Sequence, residues 1–214
     1  MLSANNFASQ GPNAADPALV RFARVGRHAA KDFDLVLTLT EGTSVVCPSA
    51  DASCHAAKAG GYYGQMSFGR GASEALPITF SFTYSDGSGA ARLPAVYVSF
   101  LDLRVGTSGV PAPVESVAVA GHDSHEMGAG LIARDFTVGG VAGQRFQATS
   151  ATANLPSAAG TPPTELSSEQ SAAAVRVLFR DVTSFRTVFG SVTQAAGCCE
   201  RILFAGEGIA SDPF

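Results

Sequence analysis

The chain has 214 residues, 46% of them hydrophobic and only 15% charged, with a net charge of −4. At about 100–200 residues per domain this is one large domain or two small ones, with enough apolar residues for a core. Low charge, with 23 Gly and 11 Pro spread along the chain, excludes a coiled coil or helical bundle, while Gly and Pro stay below the share of about 25–30% that marks disorder.

Residues 1–31 are rich in Ala, Asn and Pro and read as an irregular leader, with one edge strand beginning at Leu19-Val20-Arg21-Phe22. The segment has neither a basic start nor an apolar stretch, so it is not a secretory signal peptide. The first strong strand is 34–40, where Leu35, Leu37 and Leu39 alternate with Val36, Thr38 and Thr40. Cys47 and Cys54 then bracket a short polar loop that a local disulfide would suit, while Cys198 and Cys199 are adjacent late in the chain. Four cysteines allow three pairings, and none has the Cys-x-x-Cys spacing of a zinc site. A disulfide would place the protein in an oxidising compartment. Tyr62 and Tyr63, between Gly61 and Gly64, read either as an exposed aromatic pair for recognition or as a plug over one sheet.

The clearest alternation is 78–84, with Ile78, Phe80, Phe82 and Tyr84 inward and Thr79, Ser81 and Thr83 outward. A turn signal at Ser85-Asp86-Gly87-Ser88-Gly89 follows. The near-continuous apolar run 95–103 fits a central strand covered on both faces. Further strands are expected at 115–120, 131–138 and 145–149. Residues 150–166 form a Pro/Ser/Ala loop, and Ser167 with Gln170 fits a capping box opening a short helix. The β pattern returns at 175–180, 182–189 and 201–205. About nine short strands and no long helix predict an all-β fold: a single antiparallel β-sandwich or jelly roll over 32–214, with 150–166 as an excursion within it. The last strands should pair back with earlier ones, and one sheet face could carry 78–84, 95–103 and 175–180.

The order LPITFSFTYSDGSG, LPAVYVSFLDL and VESVAVAGHDSHEM, followed by LSSEQ, AAVRVLFRDVTSF and RILFAGEG, resembles a β-rich module repeated in secreted or surface proteins of marine algae and other protists. The resemblance covers roughly 33–205 and implies an extracellular β-sandwich. Its strand-end step reads Phe100-Leu101-Asp102-Leu103-Arg104 here, with Arg104 at a position that is acidic in the module's pattern.

Chemistry is sparse. No Gly-x-Ser-x-Gly is present, and Gly87-Ser88-Gly89 precedes no helix, so a nucleophile elbow is excluded. His122, Asp123, His125 and Glu126 form the densest polar cluster and are candidate ligand-binding residues. They suit a transition ion only if a bend brings the two histidines together, because strand geometry would send them to opposite faces. Asp102, Glu115, Asp123 and Asp181 stand at or near ends of apolar strands, where each carboxylate needs an Arg or a cation. Arg104, Arg176 and Arg180 are at hand for ion pairs, and calcium is the cation such loops would take. Asp102, Glu115, Asp123, Glu126 and Asp135 also offer paired carboxylates for glycoside cleavage. The basic residues are scattered, which argues against nucleic acid as a partner, and no run of 18 apolar residues suggests a transmembrane segment. The sequence therefore favours a non-catalytic extracellular or cell-surface module that binds a polysaccharide or assembles with copies of itself, with calcium as a candidate stabiliser. The competing expectation is a β-sandwich hydrolase or lyase acting on polysaccharide.

Overall fold

A computed structural model describes residues 2–5, 19–39, 56–59, 63–68, 76–106, 114–153, 155–191 and 200–208. Tyr62 and the four cysteines, Cys47, Cys54, Cys198 and Cys199, lie outside the described residues. In chain order the strands are β1 (Leu2–Asn5), β2 (Val20–His28), β3 (Lys31–Leu39), β4 (Ala56–Ala59), β5 (Tyr63–Phe68), β6 (Leu76–Tyr84), β7 (Leu93–Leu101), β8 (Glu115–Ala120), β9 (Ser124–Met127), β10 (Leu131–Val138) and β11 (Val141–Ala148). A short helix α1 (Ser168–Ala172) precedes β12 (Val175–Val182), β13 (Ser184–Ser191) and β14 (Glu200–Gly208). The molecule is an all-β sandwich. One sheet has the order β1-β2-β3-β6-β13-β8-β11-β10 and the other β4-β5-β14-β7-β12-β9. Every neighbouring pair is antiparallel.

The period-2 alternation explains the core. Along β6, Leu76, Ile78, Phe80 and Phe82 are buried while Thr79, Ser81 and Thr83 are half-buried on the outer face. Along β7, Val96, Val98 and Phe100 point inward from the opposite sheet. Phe80 is the hub, stacked on Phe185 at 4.9 Å and edge-on to Phe204 at 5.4 Å and Phe100 at 6.1 Å, distances at which ring pairs attract beyond their buried area.

Two expectations are corrected. Strand 78–84 does not share a sheet with 95–103 and 175–180: β6 lies in the eight-stranded sheet, β7 and β12 in the six-stranded one. Each has an inward apolar face, and facing layers need the same pattern as neighbouring strands. The N-terminal segment is also not simply irregular, because Leu2–Asn5 and Val20–His28 extend the larger sheet.

The late strands do return to early ones. β12 pairs with β7, β13 lies between β6 and β8, and β14 lies between β5 and β7. The 150–174 excursion packs on the outer face of the smaller sheet, where Ala158, Leu166 and Ala174 meet Leu101, Leu203, Ala205 and Tyr63. Its helix starts on the expected capping box: Ser167 Oγ accepts the Gln170 N–H at 3.1 Å and Gln170 Oε1 accepts the Ser167 N–H at 2.9 Å. Gln170 also donates to the Ser157 carbonyl at 2.8 Å, which ties the excursion to itself.

Candidate functional site

The polar cluster of the sequence sits where the chain changes sheets. β8 ends in the larger sheet, Gly121 turns with φ 71, and β9 begins as an edge strand of the smaller sheet. A positive φ is easy for glycine and costly for most other residues. Two hydrogen bonds to the β12 backbone pin the crossing: the Asp123 N–H donates to the Leu178 carbonyl and the Asp123 carboxylate accepts the Arg180 N–H, both at 2.8 Å. Asp123 therefore serves the β12 backbone rather than a side-chain cation.

The bend brings the two histidines together. Their rings lie 5.5 Å apart, and both pack on Phe146 of β11, His125 at 4.9 Å and His122 at 6.0 Å. Burial, and next the neighbouring His125, lower the His122 pKa; the Gln144 side chain, the Val119 carbonyl and Asp123 pull the other way. His122 Nδ1 and Gln144 Oε1 are both buried without a hydrogen-bond partner among the described residues. Glu126 goes the other way. His125 is in register with the inward Val177, whereas Glu126 is opposite Arg176 on the outer face. Successive strand residues face opposite sides, so the carboxylate and the imidazoles do not converge. Arg176 in turn lies over the Tyr97 ring at 3.9 Å.

The four strand-end carboxylates do not form one site. Asp102 stands just past the end of β7 where Phe100 pairs with Val175, and Asp181 stands toward the opposite end of β12, where Arg180 pairs with Ala95. Asp102 is buried at 5% exposure and adopts φ 63. Its oxygens accept from Ser157 Oγ at 2.6 Å, the Ala158 N–H at 2.8 Å and Arg104 Nη2 at 3.0 Å. Glu115 Oε2 accepts the Arg104 N–H at 2.8 Å, so Arg104 sits between the two acids, through its guanidinium on one and its backbone on the other. Asp181 (φ 51) pairs bidentately with Arg92, not with Arg176 or Arg180. Among the described residues no three His, Cys, Asp or Glu side chains converge as metal ligands would.

Tyr63 is not an exposed recognition residue. It is 1% exposed, and its hydroxyl donates to the Thr161 carbonyl at 2.6 Å, beneath the 150–174 excursion. Sequence reasoning did not find β9, a four-residue edge strand too short to show a period, nor the partners Arg92 and Ser157, which are distant in sequence from the acids they hold.

No family model and no curated relative matches the chain. Solved structures do. The N-terminal domain of the Streptococcus gordonii adhesin Sgo0707 matches with a TM-score of 0.52 at 10% identity, covering 92% of this chain and 49% of that one. The adhesin domain of PrgB from Enterococcus faecalis matches with a TM-score of 0.48 at 13% identity over 89% of this chain and 63% of that one. The same domain bound to DNA matches with a TM-score of 0.44 at 11% identity, over 87% and 66%. The chain thus spans about half to two thirds of the length of these structures. The likeness to the Sgo0707 domain is one of fold, a β-sandwich. No described helix is long and apolar enough to cross a membrane.

Proposed function

We propose that this chain is a non-catalytic adhesion module, working outside the cell or on its surface, that holds a polysaccharide or a further copy of itself. The observation that carries this reading is the sandwich shared with an adhesin domain over 92% of the chain. A second observation supports it. The four strand-end acids singled out for a cation are engaged within the fold: Asp102 and Glu115 around Arg104, Asp123 on the β12 backbone, Asp181 on Arg92. The His122–His125 pair and Glu126 lie on opposite sides of an edge strand, which is a poor arrangement for a paired acid and base. Recognition then falls to the rim and to outer faces such as that of Thr79, Ser81 and Thr83, which are half-buried.

The test is retention on a panel of immobilised polysaccharides, with the oligomeric state read by light scattering. Each is run with and without a chelator, so that a cation contribution, calcium first, is read in the same experiment. Retention or a defined oligomer supports the reading; a monomer retained on nothing overturns it. Turnover of a glycan that is lost in His122→Ala or Glu126→Gln, with the fold intact, would replace it with a hydrolase or lyase.

A further inference from the structure

Between the sheets, on the side where β2 faces β14, lies a cavity of about 310 Å³. Phe22, Phe80, Phe82, Phe204, Val96 and Val98 line it, each under 5% exposed. Protein interiors are close-packed, and empty apolar volume destabilises them. This cavity opens to solvent on one side, and its apolar floor offers a place where an apolar group leaves water.

Two irregularities, one on each sheet, keep it open. In the larger sheet Phe22 pairs with Leu35 and the next pairing is Gly26 with Phe33, so Ala23, Arg24 and Val25 arch opposite the single residue Asp34. The arch is held from beneath: the buried Asp34 carboxylate accepts the Arg24 N–H at 3.0 Å and the Ser85 hydroxyl. In the smaller sheet β14 runs on past its last pairing with β5, Phe204 with Gly64. The next inward position is Gly206, where an added Cβ would meet nothing within 4 Å. Gly206 and Val25 are both exposed, and both line the cavity, so its mouth lies between the arch and the end of β14, which there pairs with β7 and is past its last described pairing with β5.

Two cations stand at the mouth: among the described residues that line the cavity, Arg24 and Arg27 are the charged ones. The Arg24 side chain is 79% exposed, with Nε 4.0 Å from Asp32. Arg27 spends one donor on the Ala30 carbonyl at 3.1 Å.

We propose that this cavity binds a single-chain anionic amphiphile, its apolar tail between the sheets and its carboxylate at Arg24 and Arg27. A dry apolar cavity of about 150 Å³ takes a molecule the size of benzene; twice that volume takes a chain of about ten carbons. The site is independent of the adhesion reading, and its test uses no glycan.

Decanoate and decan-1-ol are titrated calorimetrically into the full chain, and melting is followed with each. Decanoate should bind one to one and raise Tm. Arg24→Ala with Arg27→Ala should weaken decanoate about tenfold, the scale of one charge-assisted contact, and leave decan-1-ol unchanged. Gly206→Leu, which grows into the empty volume, should abolish binding of both. Circular dichroism checks the fold first, and Val98→Phe plugs the same space from the neighbouring strand should Gly206→Leu fail to fold. No binding of decanoate, binding unaffected by the plugging substitution, or binding indifferent to both arginines would overturn the proposal.

Discussion

Asp102 shows how one buried carboxylate can serve structure. Aspartate tolerates the left-handed backbone conformation better than most residues, and here it repays that by gathering Ser157, Ala158 and Arg104 around the end of β7. Removing one partner of a buried network leaves the others unsatisfied. Asp102→Ala should therefore cost about 2–4 kcal/mol in urea unfolding, and Asp102→Asn less, since asparagine keeps an acceptor and the same backbone preference. An unchanged urea midpoint in Asp102→Ala would show that the carboxyl network contributes nothing. His122 makes a pH prediction. Its folded pKa lies below the ordinary 6.5, chiefly because burial disfavours the imidazolium. Between those two pKa values the unfolded chain binds more protons, so stability falls as pH drops through about 6.5 and levels off below the folded pKa. Urea midpoints at pH 7.5 and 5.5 should differ, and His122→Phe should remove that part of the difference. An unchanged drop in the variant would place its origin elsewhere. The exposed Asp86 is held lower, at about 2, first by the Ser88 hydroxyl and backbone and then by Lys31, so its turn should keep these bonds through mild acid.

Among the elements, α1 depends most on its contacts, because five residues are too few for a stable isolated helix. Its end is fastened to three places at once. The N–H groups of Gly130, Leu103 and Gly128 donate to the carbonyls of Ala172, Ala173 and Ala174 at 3.0, 3.0 and 2.8 Å. Such close approach needs a bare backbone at Gly128, where an added Cβ would run into the Ser171 and Ala172 carbonyls. Gly128→Ala should therefore destabilise by about 1–3 kcal/mol, as overpacking does. Ser167→Ala, which removes the cap at the other end, should cost about 1 kcal/mol. Both are read as shifts of the urea midpoint at constant slope. A Gly128→Ala midpoint equal to the parent's would mean that the β9–β10 connection moves away from the helix freely.

For the whole molecule the decisive feature is interleaving. β12, β13 and β14 follow the 150–174 excursion in the chain, yet each lies between or beside strands that precede it. No cut at the excursion leaves either sheet intact, and the excursion covers Leu101, Leu203 and Tyr63 of the smaller one. Unfolding should accordingly give a single calorimetric transition whose van't Hoff and calorimetric enthalpies agree. Two resolved transitions would show that the parts on either side of the loop fold separately. Pairings between residues far apart in the chain also make loop closure a large part of the folding barrier, so refolding should be slow for a chain of this length.

Strand identity was legible from residues alone wherever alternation ran long enough. The boundaries of β10 match the expected 131–138, β6 alternates as Ile78, Phe80 and Phe82 indicate, and the Ser167–Gln170 box opens its helix. All of these are local: a pleated backbone sends alternate side chains to opposite faces, and a cap needs only the next turn. What folding in three dimensions decided is which layer each strand joins and what each exceptional residue meets there. β6 and β7 carry the same pattern yet lie in opposite sheets; Tyr63 is buried by a loop a hundred residues away; His122 and His125 meet because the chain crosses layers at Gly121. An inward apolar face specifies a core and not a neighbour, so partner choice waits on contacts between residues far apart in sequence.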